Sequence, residues 1–140
     1  MGNVESIPIN RCLGIKYHES SQNLSLPNNL NIHNYFGDIS FCAQFTLAEA
    51  ASAQYLFDKL GMKLSKEMPT LRNAKIKFHK PTKGESLCNL ISLQHTFDEF
   101  QNILHRRGKI LTSIDVEVVS ETRVKALECS FVWLIIRYKK

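Results

Sequence analysis

The apolar positions of this chain change their period near residue 61. From Ile39 to Phe57 the sequence reads ISFCAQFTLAEAASAQYLF, so nearly every side of a helix formed here would be apolar or small. A helix of that kind is expected to be buried. We predict one long helix from about Ser40 to about Leu60. Asp38 or Ser40 is the expected N-cap, and Gly61 supplies the end.

After the helix, apolar and polar side chains alternate with a period of two, which indicates half-buried strands. Long antiparallel strands that follow one helix form an α+β arrangement, in which we expect a curved sheet wrapped around the helix. We predict a single domain over residues 1–140. An open sheet edge would remain, which favours an oligomer. The predicted strands are Ile7–Ile15, Asn73–His79, Ser86–Phe97, Lys109–Ser120 and Arg123–Tyr138, and a polar loop is predicted over His18–Asn29.

The cysteines and the long apolar segment bear on compartment and cofactors. The four cysteines form no C-x-x-C pair and do not cluster with histidines, so we expect no metal site. Scattered cysteines without a recognisable signal peptide are typical of a reducing cytoplasm, where they would be small buried residues, Cys42 included. The segment Ile39–Phe57 is long enough to span a bilayer, but a glutamate near its centre favours a buried helix and no membrane partner.

The chain carries a formal net charge of +5, with lysines and arginines concentrated in Arg72–Lys83 and around Arg106, Arg107 and Lys109. A basic surface favours anionic ligands such as nucleic acid or a phosphate-bearing cofactor. No helix-turn-helix, zinc finger or RNA-binding signature accompanies the charge, so nucleic acid is not an expected partner. A solvated basic surface that maintains solubility is the alternative interpretation.

Glu49 is the most informative residue of the chain. It is the only ionisable group between Ile39 and Phe57 apart from the weakly acidic Cys42 and Tyr55. Burial of a lone carboxylate is costly, and it raises the pKa or requires a partner. An acid in such a place is a candidate for function. The alternative is that Glu49 lies on an exposed helix face and has no role.

The sixteen residues that end at Glu49 resemble a motif of the hotdog-fold thioesterase superfamily. That motif is N-x-x-G-x-x-H-G-G-x-x-x-x-L-A-[DE], and the stretch here is N-Y-F-G-D-I-S-F-C-A-Q-F-T-L-A-E. Asn34, Gly37 and the L-A-E ending match, whereas Ser40-Phe41-Cys42 replaces H-G-G. Downstream, Pro81 and Gly84 match a strand that ends in P-x-x-G, and Gly108-Lys109 matches the start of the next strand. The resemblance extends roughly from His33 to Ile136.

The resemblance implies a hotdog fold and thioester hydrolysis. By this likeness Glu49 would activate water or attack the carbonyl directly, and Asn34 would orient that water or hold the carboxylate. In the family, the backbone N–H of a glycine in H-G-G polarises the carbonyl oxygen. The backbone N–H of Phe41 or Cys42 would take this role here, because the donor is the main chain and does not depend on the side chain. Asn34 and Gly37 also fit a turn, with Gly37 at a positive φ.

The remaining site predictions concern the ligand. Phe45 and Tyr55 are expected to line the acyl chain, and Thr70 is the candidate hydroxyl from a facing strand in a site between two subunits. The expected contacts to the anionic part of coenzyme A are Lys80, Lys83, Arg106 and Arg107.

Three functions remain open from the sequence. The first is an acyl-CoA thioesterase that acts as a homodimer or a dimer of dimers, with the thioester as substrate and no resident cofactor. The second is a non-catalytic acyl-CoA-binding regulator of the same fold. The third, ranked last, is a basic protein associated with nucleic acid.

Overall fold

A computed structural model of the chain describes residues 3–18 and 23–139. One long helix, α2, packs against a six-stranded antiparallel sheet in the order β1-β2-β4-β5-β6-β3, which confirms the predicted α+β architecture. The helices are α1 (Pro8–Leu13), α2 (Phe41–Asp58) and α3 (Phe97–Arg107). The strands are β1 (Lys16–Tyr17), β2 (Leu24–Leu26), β3 (Glu67–Phe78), β4 (Ser86–Leu93), β5 (Lys109–Ser120) and β6 (Lys125–Arg137).

The central helix confirms the prediction for Ser40–Leu60 within two residues at each end. Ser40 is the N-cap, and its Oγ accepts a hydrogen bond from the N–H of Cys42 at 3.3 Å. Gly61, at φ 74°, follows three residues after the helix ends. The Trp133 Nε1–H of β6 donates to Ser52 Oγ at 3.0 Å, which ties the buried side of α2 to the sheet.

Each sheet face has its own row of side chains, because residues paired across neighbouring strands point to the same side. On β6 the row Leu127, Cys129, Phe131, Trp133 and Ile135 is buried against α2, and we call this side of the sheet the helix face. The other side is the outer face, where Val132, Leu134 and Ile136 of β6 lie.

The N-terminal strand predicted over Ile7–Ile15 is wrong, because these residues form α1. Pro8 occupies the first turn, where its missing N–H costs nothing, and Gly14 at φ 78° ends the helix. The buried Asn10 Nδ2 donates to the carbonyl of Val4 at 2.9 Å. The loop predicted over His18–Asn29 contains the buried strand β2, and its residues 19–22 lie outside the described part.

The later strands agree with the predictions to different degrees. β5 has the predicted bounds, and β6 is two residues shorter at its start. β3 begins at Glu67, six residues before the predicted start, and β4 ends at Leu93. Helix α3 was not predicted, because the strand predicted over Ser86–Phe97 ends at its first residue and residues 98–108 were assigned no element. Thr96 and Glu99 form a capping box at its start, and Phe100 and Leu104 are buried beneath it.

Candidate functional site

One side of α2 is covered only in part by the sheet. Phe41, Phe45, Glu49 and Ala53 follow one another at intervals of four residues, and all four are only half-buried. This spacing places them in a line on one face of the helix. The opposite side, which includes Leu47, is buried against the sheet. We call the line of half-buried side chains the open face of α2.

Glu49 is the only acid on the open face. No hydrogen bond or ion pair joins its carboxylate to another residue in the described ranges 3–18 and 23–139. Desolvation by burial raises the pKa of the Glu49 carboxyl, and no charged neighbour opposes that shift. A half-buried carboxylate without a protein partner is poised to accept a proton from a bound water.

Glu49 also has a consequence for stability. A raised pKa means that the folded chain binds the Glu49 proton more tightly than the unfolded chain does. The free energy of unfolding therefore begins to fall as the pH rises past the unfolded-state pKa of Glu49, about 4.3. It stops falling once the pH is above the folded-state pKa, where Glu49 is ionised in both states. We expect Glu49→Gln to raise the free energy of unfolding by about 1 kcal/mol at pH 8, the size of an ordinary single-substitution effect.

The same comparison at pH 4 supplies the control. At pH 4, just below the unfolded-state pKa of about 4.3, Glu49 is mostly protonated in both the folded and the unfolded chain, so the denaturant unfolding curves of the two proteins should differ much less than at pH 8. If Glu49→Gln raised the free energy of unfolding as much at pH 4 as at pH 8, Glu49 would destabilise the fold by its shape rather than by its charge.

The start of α2 offers one backbone donor. The Cys42 N–H is taken by the Ser40 Oγ, and the N–H groups of Ala43 and Gln44 bond to the Ser40 carbonyl. The Phe41 N–H has no intrahelical acceptor and bonds to no other described residue. The Phe41 ring packs on Phe78 with their centroids 4.8 Å apart. Of the two predicted oxyanion donors, the geometry therefore favours Phe41.

Helix geometry separates this donor from the carboxylate. Glu49 lies eight residues after Phe41, and a rise of 1.5 Å per residue places their backbones about 12 Å apart along the axis. One carbonyl group has to lie about 3 Å from its donor and close to its base or nucleophile. A single protomer does not bring the two groups to one carbonyl.

An apolar surface extends from the open face of α2 to the edge of the sheet. Phe45 packs on Phe131 with ring centroids 5.6 Å apart, and Phe41 reaches Phe78. Ile76 and Phe78 are 37% and 54% exposed on the helix face of β3, which is an edge strand of twelve residues. These two residues were not among the predicted site residues, although their alternation with polar residues in Asn73–His79 places them on one face of the strand.

The loop before α2 is a turn built by Asn34. Its Oδ1 accepts hydrogen bonds from the N–H groups of Phe36 and Asp38 at 2.9 and 3.1 Å, and Gly37 adopts a φ of 76°. The Asn34 amide oxygen is thus used by its own turn, and the structure gives it no bond to Glu49. Gly37 has the positive φ that the sequence predicted for a turn.

The four predicted coenzyme A contacts lie at two ends of the molecule. Lys83 forms an ion pair with Asp38 at 2.9 Å and donates to the Phe36 carbonyl, so it lies beside the start of α2, and the exposed Lys80 precedes it. Arg106 and Arg107 end α3, next to the opposite end of the sheet. One protomer does not bring the two pairs together.

Three other predicted positions are placed as follows. Tyr55 is 8% exposed on the sheet side of α2, where burial raises the pKa of its hydroxyl well above the usual value, so it belongs to the core. Thr70 pairs with Leu134 and lies on the outer face, away from α2. Cys42 is exposed on α2, and Cys12 is also exposed, which corrects the expectation that the cysteines are buried.

Within residues 3–18 and 23–139, no group of three or more histidine, cysteine or acidic side chains could hold a metal ion. In the same part of the chain, no helix is both long and apolar enough to cross a membrane.

No family model and no curated protein matches the sequence, whereas many solved structures match the fold. A probable thioesterase of unknown function from Pseudomonas aeruginosa has a TM-score of 0.76 at 16% identity, over 96% of this chain and 91% of that one. A thioesterase from Haemophilus influenzae has a TM-score of 0.68 at 12% identity, over 98% and 88%. A Bacillus halodurans protein with CoA has a TM-score of 0.70 at 11% identity, over 91% and 75%. The chain thus shares the architecture of these proteins and has the hotdog fold.

Proposed function

We propose that this protein hydrolyses acyl-CoA thioesters with Glu49 as the base or nucleophile. The observation that carries the proposal is the half-buried Glu49 carboxylate, which has a raised pKa and no bonded partner among the described residues. It lies on the open face of α2, beside an apolar surface that suits an acyl chain. The solved thioesterases of the same fold support thioester hydrolysis, and the Bacillus halodurans protein with CoA supports a coenzyme A ligand.

The proposed reaction uses two groups of the chain. The thioester carbonyl oxygen accepts a hydrogen bond from the Phe41 N–H at the positive end of α2, which stabilises the negative charge that develops there. Glu49 takes a proton from water as the oxygen of that water bonds to the carbonyl carbon. The carbon–sulfur bond then breaks, and the proton passes from Glu49 to the departing sulfur, which yields free coenzyme A and a carboxylic acid. Direct attack by the carboxylate is the other route, through an anhydride that water opens.

The distance of about 12 Å between Phe41 and Glu49 implies that two protomers share each site. The uncovered edge of β3 supplies the contact, because its twelve residues present unpaired backbone groups. An antiparallel junction of two such edges continues the sheet and lays the two α2 helices side by side. The N-terminus of each helix then approaches the open face of the other, and the exposed Ile76 and Phe78 become covered.

The dimer leads to a prediction about β3. We expect Ile76→Asp to convert the dimer to a monomer at micromolar concentration and to abolish hydrolysis, because the new carboxylate would lie in the covered apolar surface. Lys75→Ser changes the neighbouring residue, whose side chain lies on the outer face, and is the matched control. Sedimentation equilibrium measures the mass of each variant. A monomeric wild type, or an active Ile76→Asp monomer, would contradict the shared site.

The coenzyme A phosphates would be bound by Lys80 and Lys83 beside the start of α2. The Lys83 side chain is 69% exposed in spite of its ion pair with Asp38. Exposed charges are screened by salt, so affinity for acyl-CoA should weaken as the salt concentration rises. Free fatty acid lacks the phosphates and should bind the open face of α2 more weakly than acyl-CoA does.

Turnover on a panel of acyl-CoA thioesters, together with binding of a non-hydrolysable analogue, tests the proposal. Hydrolysis of at least one chain length supports the thioesterase. Absence of both turnover and binding across the panel would refute it.

A non-catalytic acyl-CoA-binding module is the second candidate. One observation favours it: the Asn34 side-chain oxygen accepts hydrogen bonds from its own turn, so it does not take the role of holding the catalytic water or the carboxylate that the resemblance implies for it. Clear binding of the analogue without turnover on any thioester of the panel would select this candidate.

A further inference from the structure

A cavity lies on the outer face, on the side of the sheet opposite α2. Its volume is about 770 Å³, within the range of pockets that hold one small molecule. The floor consists of Leu111, Val132, Leu134 and Ile136 from β5 and β6, and Ile103 of α3 forms a wall. Leu111 is 55% exposed, which is unusual for a leucine in the middle of an apolar cluster.

The rim of this cavity is basic. Arg72 at the β3 bulge, Arg107 at the end of α3 and Lys109 at the start of β5 surround the apolar floor. None of the described residues that line the cavity is an aspartate or a glutamate. In the described ranges, no ion pair joins any of these three cations to an acid. The field inside the cavity is therefore positive, and an anion would meet no opposing carboxylate.

The geometry points to a binding site for a fatty carboxylate with a single hydrocarbon chain. The carboxylate lies at the rim, where the planar guanidinium groups of Arg72 and Arg107 each offer two parallel N–H donors. The chain lies on Leu111, Val132 and Leu134, away from water. This site is separate from the open face of α2 and does not depend on the proposed hydrolysis.

Two other occupants fit the cavity less well. A second copy of this chain placed by a two-fold axis through the cavity would bring Arg72, Arg107 and Lys109 towards their own counterparts, which is repulsive. A bilayer surface fits less well because α3 stands beside the apolar floor and would obstruct its approach. A single chain with one charged end satisfies both the apolar floor and the basic rim.

Adjacent residues on α3 give a matched test. Arg107 lines the cavity and Arg106 does not, although both are exposed in the last turn. Titration calorimetry with dodecanoate should show affinity about tenfold weaker in Arg107→Ala, from the loss of one charge-assisted contact. Arg106→Ala should change the affinity less than about twofold, and dodecan-1-ol, which lacks the charge, should bind the wild type about tenfold more weakly than dodecanoate does.

Methyl NMR locates the bound chain and separates this site from the open face of α2. Dodecanoate should shift the methyl signals of Leu111, Val132 and Leu134, and in Leu111→Asp the shifts of Val132 and Leu134 should be lost. Shifts confined to α2 or equal losses in the two arginine variants would overturn the proposal, and so would an absence of binding. Arg107-dependent binding to anionic phospholipid vesicles without dodecanoate binding would assign the cavity to a membrane instead. A change of oligomeric state in ligand-free Leu111→Asp would assign it to a second copy.

Discussion

Glu49→Gln is expected to lower kcat on acyl-CoA thioesters by about two to four orders of magnitude, the usual range for removal of a general base. The amide keeps the shape of the side chain but cannot take a proton from water. Binding of a non-hydrolysable acyl-CoA analogue should change less than about twofold, because the apolar surface and the lysines remain. Stopped or continuous assays of thiol release measure the first quantity, and titration calorimetry measures the second.

Asp98→Asn is the control for Glu49→Gln. It also removes one carboxylate, but from an exposed position in the first turn of α3. Its kcat should equal that of the wild type. Hydrolysis that survives in Glu49→Gln at more than about a tenth of the wild-type rate would show that another group carries the reaction, since loss of a base costs at least about a hundredfold.

Phe41→Pro is expected to lower kcat by about two to three orders of magnitude, the cost of one lost oxyanion donor. Proline removes the backbone N–H but suits this position, which is the first residue of α2. Ser40 before it has φ −60° and ψ 133°, a conformation that proline permits in its preceding residue. The helix should therefore form unchanged, as circular dichroism can verify.

Phe41→Ala separates the backbone donor from the ring. It loses the contact with Phe78 but keeps the N–H, so its kcat should remain at least tenfold above that of Phe41→Pro. Equal activity in the two variants would show that the ring, and not the N–H, accounts for the effect. In that case the assignment of the oxyanion donor would fail.

The sequence correctly predicted the elements in which the apolar positions are also the buried ones. The apolar run of α2 and the alternation of β5 gave their positions within two residues. The strand predicted over Ile7–Ile15 was wrong, because Ile7 and Ile9 are both exposed and contribute no buried face to a sheet. The start of α3 carried a recognisable T-x-x-E capping box at Thr96 that was read as the end of a strand.

For the candidate site, the sequence indicated which types of residue could act, but it did not show which of them lie together in space. Glu49 stood out because a lone acid in an apolar helix is rare, and the structure places it on the open face. Tyr55 comes from the same helix but faces the sheet, and Thr70 comes from the predicted facing strand but points to the outer face. Spacing along a motif does not determine which side of an element a residue takes. The separation of Arg106 and Arg107 from Lys83 depends on α3, which the sequence analysis had missed.

The shared site is the central claim, and a purified heterodimer tests it most directly. One protomer carries Glu49→Gln and the other carries Phe41→Pro, and two different affinity tags isolate the mixed species after co-expression. If each site takes the Phe41 N–H from one protomer and Glu49 from the other, one of the two sites is intact, and kcat per dimer should return to about half of the wild-type value. Activity no greater than the mean of the two parent homodimers would contradict the shared site.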